Sequence, residues 1–472
     1  MNSNYSAIPF KSSIELQVQK DPNNEPKQFY GEDYTDEFDE IDDFPLIAAS
    51  VSGPENAGSG VPGAVFNLAT SIIGAGIMAL PAAMKVLGLG LGLGFFSIVV
   101  MGVLSEISIE LLVRYSVLSK SASYGEVVEA ALGRPMRVVS EVCIVINNAG
   151  VLVVYLIIIG DVMSGSSDHV GVFDQLFGHG AWDHRKMVVL VVLVVLLAPL
   201  CALEKIDSLS LTSAASVALA VVFVAISCVV AFIKMLDGTI KKPRMGPDFS
   251  TEAAVLDLLV VIPIMTNAYV CHFNVQPIYN ELEGRSTRKM NRVGRISTVM
   301  CVVVYAGTAI SGYLLFGDGT ESDVLTNFDR NLGAHFSMVL NYIVRIGYVL
   351  HLVLVFPVIH FSLRQTVDAL AFTKSVLDDR KKSLAMTAAL LGAIYVGSTM
   401  IPNIWVAFKF TGATTGLSLG FIFPALITLR LDEHDKSLTT GEKIVSWSML
   451  VLAVVVSVIG VTGNIYSIRN QS

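Results

Sequence analysis

The stretch Phe66–Pro81, FNLATSIIGAGIMALP, decides the fold, because it is apolar enough to cross a membrane yet contains residues that interrupt a helix. Gly74 and Gly76 each cost about 1 kcal/mol of helix propensity relative to Ala, and Pro81 costs about 3 kcal/mol. In lipid, backbone groups freed by an interruption survive only where they are buried in protein or line a cavity. The stretch therefore predicts an interrupted membrane helix.

A second apolar stretch, at 253–278, contains the same kind of interruption. Pro263 precedes a polar centre, Thr266-Asn267-Ala268-Tyr269, and His272 and Pro277 follow it. Polar groups in the middle of a membrane span are costly and usually functional. The sequence thus predicts two interrupted spans. Close packing of helices through glycine is the alternative explanation for the glycines of the first one.

The composition places the chain in a membrane. The 472 residues are 53% hydrophobic and 15% charged, with a mean hydropathy of +0.64, whereas soluble domains carry about 25% charged residues. This balance excludes a water-soluble, disordered or nucleic-acid-binding protein. The five cysteines lie in apolar runs, and no nucleophile elbow, phosphate-binding loop or metal-ligand spacing occurs. We therefore expect neither an enzyme nor a bound cofactor or metal.

Stretches of about 20 mostly apolar residues are long enough to cross a bilayer. Eleven occur, at 63–86, 90–114, 137–163, 186–203, 208–234, 253–278, 296–316, 336–360, 383–401, 404–428 and 444–466. With a cytosolic N-terminus, 21 Lys and Arg residues fall on the cytosolic side and 8 on the other, as the positive-inside rule requires. An odd number of spans places residues 467–472 on the luminal or extracellular side.

The N-terminal segment, residues 1–60, is polar and has no apolar stretch of signal-peptide length, so we expect no signal peptide in it. Eight acidic residues lie between Glu32 and Asp43, so we expect a disordered cytosolic tail. Asp42, Leu46 and Ile47 match an acidic dileucine sorting signal, which predicts a clathrin adaptor as a partner. An acidic tail with aliphatic residues also matches so short a pattern without such a role.

Spans one and six, the interrupted pair, each begin a set of five spans, 1–5 and 6–10. Because five is odd, the second set is inverted relative to the first, and a site at the interface of two inverted repeats is typical of transporters. Free amides at a half-helix N-terminus bind a carboxylate, and free carbonyls at a half-helix C-terminus bind a cation. An α-amino acid carries both charges. The predicted fold is an all-α membrane protein with a 5+5 inverted repeat and one extra C-terminal helix.

Two motifs carry a resemblance to a known family. FNLATSIIGAGIMALP and VCHFNVQPIYNEL (Val270–Leu282) resemble the amino acid/auxin permease family, in particular the branch of sodium-coupled neutral amino acid transporters and plant vacuolar amino acid transporters. DDFPLI in the acidic tail is similar to the vacuolar members. The resemblance covers residues 60–466 and implies a LeuT-like fold and secondary active transport of amino acids. It also implies a vacuolar or endosomal membrane, with the plasma membrane as the other location.

The resemblance also implies a binding site. Unwound backbone at Ser71–Gly76 would hold the substrate carboxylate, and Met265–Tyr269 would face its amino group and side chain. In span three, Asn148 and Tyr155 share a face, and one of Asn147, Asn148 and Tyr155 would line the site, unless these residues form hydrogen bonds to neighbouring helices instead. The residues predicted to bind substrate are Thr70, Ser71, Ile73, Gly74, Ala75, Gly76, Met265, Thr266, Asn267, Tyr269 and Asn148.

Sodium coupling fits the chain poorly. The sodium-coupled relatives have Asn at the position of Thr70 and hydroxyl residues before the proline of span eight. Here Pro357 follows Val353, Leu354, Val355 and Phe356, which offer no side-chain oxygen. We therefore expect a coupled proton or sodium-independent flux.

Three titratable residues in the spans are candidates for coupling. Arg345 either binds an acidic substrate or ties down carbonyls at a helix end. His351 and His272 either carry the coupled proton, since histidine titrates near neutral pH, or are only hydrogen-bonded. The alternatives to a transporter are a sensor of the same fold that signals through its tail, and an ion channel.

Overall fold

The computed structural model describes residues 59–471 except for short gaps at 88–91, 167–168, 181–183, 204–209, 241–243, 245, 248, 330–336, 402–403 and 436–437. The acidic tail, with its predicted sorting residues Asp42, Leu46 and Ile47, lies outside the described residues. The tail and the predicted domain bounds therefore stay predictions.

The described part of the chain is all-helical, and its only strand-like contacts are isolated bridges at Ser59–Leu282 and Gly165–Val170. Most helices follow the apolar stretches of the sequence. In chain order they are α1 (Val61–Ile72), α2 (Gly76–Leu87), α3 (Gly92–Leu118), α4 (Tyr124–Leu132), α5 (Arg134–Ser164), α6 (Val172–Phe177), α7 (Arg185–Val192), α8 (Ala198–Cys201), α9 (Ser210–Leu236), α10 (Glu252–Tyr269), α11 (His272–Glu281), α12 (Thr287–Phe316), α13 (Ser337–Ala371), α14 (Arg380–Met400), α15 (Ile404–Thr411), α16 (Phe423–Asp435) and α17 (Thr440–Gln471).

Wider π-helical turns join several of these segments. Leu193–Leu197 connects α7 to α8, and Gly412–Gly416 and Ser418–Ile422 lie between α15 and α16. Single 3-10 turns, Gly317–Gly319 and Thr326–Asp329, lie in the loop that follows α12. Turns of the π type occur mostly at functional sites or where a helix is adjusted locally.

Eight helical stretches within the described residues are long and apolar enough to cross a membrane, and α1 with α2 makes a ninth as one bent span. The two other predicted spans do not form single long helices. Span four is the short run α7–α8, and span six is divided between α10 and α11. A multi-pass membrane protein is confirmed, and the exact number of eleven stays a prediction.

The two interrupted spans pack against each other. The axes of α1 and α2 are bent by 53° at a break of three residues. The α2 helix packs on α10, and α1 packs on α11. At the contact of α2 with α10 a Cβ on Gly76 would lie 2.8 Å from the Ala268 Cα. Only glycine allows the two half-helices to approach so closely.

Candidate functional site

The break in span one is three residues long and fully buried. It comprises Ile73, Gly74 and Ala75, which is narrower than the predicted unwound segment because Ser71 still lies in α1 and Gly76 already begins α2. Ile73 takes an extended conformation, with φ −74° and ψ 98°. The carbonyl of Ile72, whose helical donor would be the Gly76 amide, is therefore free for another partner.

The break in span six lies elsewhere than predicted. The segment Met265–Tyr269 is helical, as the last part of α10, and the chain breaks at Val270 and Cys271. Val270 is extended, with φ −73° and ψ 109°. The carbonyl of Ala268 loses its helical donor, the His272 amide, in the same way as Ile72. The polar residues in this segment therefore lie just before the break and not within it.

One tyrosine joins the two breaks. The hydroxyl of Tyr305, in α12, lies 2.5 Å from the Ile72 carbonyl and 2.6 Å from the Ala268 carbonyl. Its ring packs edge-on against Tyr269 with 4.9 Å between the ring centroids, and both rings are buried. The C-terminal ends of α1 and α10 therefore point at a single side-chain oxygen. These ends carry the partial negative charge of their helices.

Two more tyrosines surround the break in span one. The Tyr348 hydroxyl, from α13, donates to the Gly74 carbonyl at 2.8 Å. The Tyr155 hydroxyl, from α5, interacts with the Ala75 backbone and lies so close to Gly74 that a Cβ there would overlap it. Gly74 is thus required by a close approach of side chains. The buried tyrosines fill the space between the half-helices.

His351 lies at the same break. Its Nδ1 is 2.7 Å from the Ser216 carbonyl of α9, and its ring also interacts with the Ile73 backbone. Because Ser216 presents an oxygen acceptor, Nδ1 carries the proton and donates. Nε2 has no hydrogen-bond partner within the described residues, and the side chain is fully buried. His351 therefore presents a free basic nitrogen beside the C-terminal end of α1.

His272 has different surroundings. It is the first residue of α11, and its Nε2 is 3.0 Å from the Ser108 hydroxyl, which donates to the Gly420 carbonyl. Ser108 therefore accepts from the Nε2 hydrogen of His272. A helix N-terminus carries partial positive charge and disfavours a second positive charge. His272 thus links α11 to α3, and its buried Nδ1 has no hydrogen-bond partner within the described residues.

The predicted residues of α1 before the break point to neighbouring helices. The Thr70 hydroxyl donates to the Ser213 carbonyl at 3.1 Å and contacts the Ser216 hydroxyl at the same distance, both on α9. The Ser71 hydroxyl donates to the Asn67 carbonyl and accepts from Asn274 at 2.8 Å. Both side chains tie α1 to its neighbours and do not face the break.

Of the predicted residues of α10, Tyr269 contacts the junction through its ring, which packs on Tyr305, and the others point elsewhere. Met265 and Thr266 line an apolar cavity of about 420 Å³ between α3, α10 and α17. Asn267 donates to the Thr411 hydroxyl at 3.2 Å, and Tyr269 donates to the Ile98 carbonyl at 3.1 Å. Among the predicted residues, the structure brings Ile73, Gly74, Ala75 and Gly76 together with His351.

Asn148 lies two turns from Tyr155 on the α5 surface that faces α13. It is fully buried, and neither atom of its amide group has a hydrogen-bond partner in the described structure. Its neighbour Asn147 accepts from the Thr415 hydroxyl at 3.2 Å instead. A buried amide without partners is costly, which keeps Asn148 a candidate ligand contact.

Arg345 joins α13 to the end of α5 and to the loop and helix that follow it. Its guanidinium donates to the Val162 carbonyl at 2.9 Å, to the Val170 carbonyl at 2.7 Å and to Gln175 Oε1 at 3.1 Å. Val162 lies in the last turn of α5, so the positive charge meets the negative end of that helix. Arg345 is buried and thus holds the end of α5 and the following loop against α13.

Sequence reasoning missed Tyr305 and Tyr348, and it named Tyr155 only as one of three residues of span three that could line the site. Each is a single hydroxyl in an otherwise apolar helix, far in sequence from the carbonyl that it contacts. Tyr305 and Ile72, for example, are 233 residues apart. The one available signal is the position of a tyrosine in mid-span, where its hydroxyl needs a buried partner.

Residues 57–468 match the family described as transmembrane amino acid transporter protein. Over its full length the chain is 63% identical to the amino acid transporter AVT6E of Arabidopsis thaliana, which is also covered in full. It is 45% identical to AVT6A of the same plant over 89% of this chain and 92% of that one.

Solved structures show the same fold at low identity. MhsT in complex with L-phenylalanine gives a TM-score of 0.52 at 14% identity, covering 87% of this chain and all of that one. A mutant of the Eremococcus coleocola manganese transporter gives 0.53 at 10% identity, covering 86% and 88%. Both likenesses concern the fold alone.

Proposed function

This chain belongs to the transmembrane amino acid transporter family, and from that premise we propose that it carries amino acids across a membrane by secondary active transport with alternating access. The substrate binds at the breaks of spans one and six. The observation that carries the proposal is the convergence of the α1 and α10 C-terminal carbonyls on one point. The free N-terminal end of α2 begins only four residues after Ile72.

The carboxylate of the substrate binds at the start of α2. The amides of Ala75 and Gly76 are not used by helix hydrogen bonds, as is general for the first residues of a helix. The Tyr155 hydroxyl already interacts with the Ala75 backbone, which supports a polar contact there. On binding, the carboxylate takes over these amides and accepts a hydrogen bond from Tyr155.

The coupled ion in the proposal is a proton carried by His351. Its Nε2 is free, and protonation places a positive charge beside Ile73 and the negative end of α1. His272 lacks this support because it stands at a positive helix end. Arg345, whose two terminal guanidinium nitrogens donate to two carbonyls and to Gln175, is not a coupling residue in this proposal.

Sodium is not the coupling ion in this proposal. The Thr70 hydroxyl is engaged by α9. The four residues before Pro357 bring no side-chain oxygen to the region of His351. A sodium site needs several oxygen ligands together. The proposed membrane is vacuolar or endosomal, with the acidic tail in the cytosol, as the excess of Lys and Arg on that side supports.

Uptake of radiolabelled amino acids into proteoliposomes tests the proposal, with a panel of substrates and imposed proton or sodium gradients. We expect accumulation that follows the proton gradient, collapses with a protonophore and is unchanged when choline replaces sodium. Flux that follows sodium and ignores pH would contradict proton coupling. Absence of flux, together with signalling through the tail, would favour the sensor.

The variant His351→Gln sharpens the test. Glutamine retains a donor for the Ser216 carbonyl but cannot titrate, so gradient-driven accumulation should fall by about tenfold or more while substrate counterflow persists. His184→Gln, at the exposed start of α7, is the matched control and should behave as the unmodified protein. Undiminished gradient-driven accumulation in His351→Gln would assign the proton to another group.

A further inference from the structure

We propose that the apolar cavity between α3, α10 and α17 is a binding site for one bilayer phospholipid with an ethanolamine headgroup. The acyl chain lies along the cavity, and the headgroup lies at the end where α3 finishes and α17 begins. The cavity and the charged recess at that end are together called the lipid groove below. The site needs only a chain that spans the membrane and is independent of what the protein transports.

Two long helix faces form the walls of the lipid groove. On α3 the lining residues recur every three or four positions from Leu93 to Arg114, and on α17 they recur in the same way from Gly441 to Val456. This spacing places them on one face of each helix. The floor is formed by buried residues of α10 and of span ten, such as Met265. The groove therefore follows the two helices over most of their length.

The lipid groove is open along one side. Phe96, Ile262 and Leu452 at its rim are exposed, whereas Met265 and Met449 on its floor are buried. Because α3 and α17 are long and apolar enough to cross a membrane, the open side faces the hydrocarbon of the bilayer. Methionine side chains adapt to irregular apolar partners. The groove can thus take up a flexible chain from the side.

The dimensions of the lipid groove fit one acyl chain and not a helix. The lining of α3 from Leu93 to Leu104 covers about 17 Å at roughly 1.5 Å per residue. A volume of about 420 Å³ divided by this length gives a mean cross-section of about 25 Å². An α-helix with a diameter of about 10–12 Å needs about 80 Å² or more. A helix of a second copy is therefore too wide, and a single extended hydrocarbon chain fits.

One end of the lipid groove is charged. Val445 lines both the apolar cavity and a recess of about 270 Å³, whose lining includes Glu110, Arg114 and Glu442. Arg114 and Glu442 form an ion pair with 2.8 Å between nitrogen and oxygen, and 35% and 29% of their side-chain surfaces are accessible. A long apolar groove that ends in accessible charges matches an amphipathic molecule with one polar end.

The charges of the recess select the headgroup. Two carboxylates and one guanidinium line it, so a headgroup with a net negative charge is disfavoured. Phosphatidylethanolamine brings a phosphate and a primary ammonium group. The phosphate binds the Arg114 guanidinium, and the three N–H donors of the ammonium bind the Glu110 and Glu442 carboxylates. A choline headgroup has no N–H donor and binds these carboxylates less well.

The acyl chain reaches α10 just before its break. Met265 and Thr266 line the lipid groove, and α10 ends three residues after Thr266, before the break at Val270. The Thr266 hydroxyl donates to the Ile262 carbonyl at 2.9 Å, so its hydrogen is not directed at the chain. A bound chain fills space beside this part of α10 that would otherwise lack packing partners. We therefore expect the lipid to stabilise the folded protein.

Photochemical labelling of the full chain in vesicles tests the lipid groove. The probe is phosphatidylethanolamine with a diazirine in one acyl chain, diluted into phosphatidylcholine vesicles, and mass spectrometry locates the labelled peptides. A second apolar groove, between α9 and α12, has no charged residue among the described residues that line it. We expect labelling of α3, α10 and α17 at the lipid groove to exceed labelling of the second groove by about tenfold, the size of one charged hydrogen bond. Equal labelling of the two grooves would overturn the proposal.

The variant Ala453→Phe tests the place of the acyl chain. Ala453 is a buried residue in the lining of the lipid groove, and the larger ring occupies the volume of the chain, so labelling should fall by about tenfold. Ala231→Phe, from another buried alanine in the second groove, is the matched control and should leave the labelling unchanged. In detergent, added phosphatidylethanolamine should raise the melting temperature of the unmodified protein and not that of Ala453→Phe. Undiminished labelling in a folded Ala453→Phe protein would place the lipid elsewhere.

The variant Arg114→Gln tests the headgroup and does not disturb the packing of the cavity. Labelling should fall by about threefold, the size of a partly exposed ion pair. Arg134→Gln, at the exposed start of α5, is the matched control and should behave as the unmodified protein. An unchanged level of labelling in Arg114→Gln would contradict the role of the recess, even if Ala453→Phe fails to fold.

Competing occupants give different results in the same assay. Excess phosphatidylethanolamine should displace the probe, and phosphatidylglycerol should not. Equal labelling by a phosphatidylcholine probe would refute the headgroup, and displacement by a sterol would refute the acyl chain. Cross-links between two copies through α17 would assign the groove to a second copy. Because no amino acid is present in these measurements, absence of amino acid transport would refute the proposed function and leave the lipid groove intact.

Discussion

Both interrupted spans contain a helix break, but the residues at the two breaks differ. The break in span one contains Gly74, bends the helix axis by 53° and is surrounded by Tyr155, Tyr348 and His351. The break in span six has neither glycine nor proline and consists of Val270 and Cys271. The first break is fixed by side chains from other helices that approach its backbone closely. Among the described residues, fewer side chains from other helices reach the second break: the Tyr305 hydroxyl contacts the Ala268 carbonyl and the Ser105 hydroxyl contacts the Tyr269 carbonyl.

This difference shows which residue types in the local sequence indicate where a membrane helix breaks. Glycine marks the point where other groups approach the backbone, and in span one it indicated the correct place. Polar side chains in a helix need hydrogen-bond partners, and these partners lie on a neighbouring helix or one turn back in the same helix. Asn267 reaches Thr411, and Thr266 bonds back to the Ile262 carbonyl at 2.9 Å. Their presence therefore says little about where the helix ends.

The largest expected effect belongs to Gly74→Ala. The added Cβ overlaps the Tyr155 hydroxyl, so α5 and the break must separate, and we expect transport to fall by about a hundredfold or more. Uptake into proteoliposomes measures this. Gly347→Ala, in α13, is the control, because a Cβ there meets nothing within 4 Å. Transport above half of the normal rate in Gly74→Ala would remove the distinction between the two breaks.

A smaller effect is expected for Tyr155→Phe. The variant keeps the ring but loses the hydroxyl beside Ala75, so the KM for amino acids should rise by about tenfold, the size of one charged hydrogen bond. Ser105→Ala gives the comparison at span six, where the serine hydroxyl lies 3.4 Å from the Tyr269 carbonyl. Its KM should change by less than about twofold. Equal changes in the two variants would contradict a more tightly held break in span one.

A still smaller effect is expected for Cys271→Ala. The side chain is buried but its position needs no special backbone conformation, and loss of one buried atom costs about 1 kcal/mol. Transport should stay within about threefold of normal while the melting temperature drops slightly. Loss of transport in a folded Cys271→Ala protein would show that the break in span six tolerates substitution as poorly as the break in span one.

The smallest effect concerns the loop that covers α2, where the Val324 amide donates to the Met78 carbonyl at 3.2 Å. Burial of Asp323 in this loop raises the pKa of its carboxyl to about 7, well above the ordinary value near 4. Between about pH 4 and 7 the folded protein holds a proton that the unfolded chain has lost. The contribution of Asp323 to stability therefore falls as the pH rises through this window.

The variant Asp323→Asn should flatten this dependence. We expect its melting temperature in detergent to decline less than that of the unmodified protein between pH 4.5 and 7.5. Asp318→Asn, at an exposed position of the same loop with 78% of its side chain accessible, should keep the normal slope. Identical slopes for Asp323→Asn and the unmodified protein would refute the assignment.

Much of the fold could be predicted from the sequence, because apolar length is a direct requirement of the bilayer. Each predicted span coincides with helical structure, although α7–α8 and α10–α11 are too short or too divided to confirm the count. The family was identified correctly from two motifs. Nothing in the local sequence distinguishes a span with a wide π turn from a regular one.

The candidate site was predicted only in part, for a physical reason. Ile73–Gly76 were located because a helix interruption is a local property of the chain. The role of Arg345 depended on which carbonyls lie within its reach, and two of these, Val162 and Val170, come from segments more than 170 residues earlier. Tyr305 gives no local signal at all. The sequence alone did not predict the contacts that depend on tertiary structure.

The contacts of Arg345 also decide which parts can move. One buried side chain fastens the end of α5 at Val162 and the next loop, at Val170 and Gln175, to α13. If the proposed alternating access holds, we expect these three segments to move as one unit, because separating them would break the buried hydrogen bonds of Arg345.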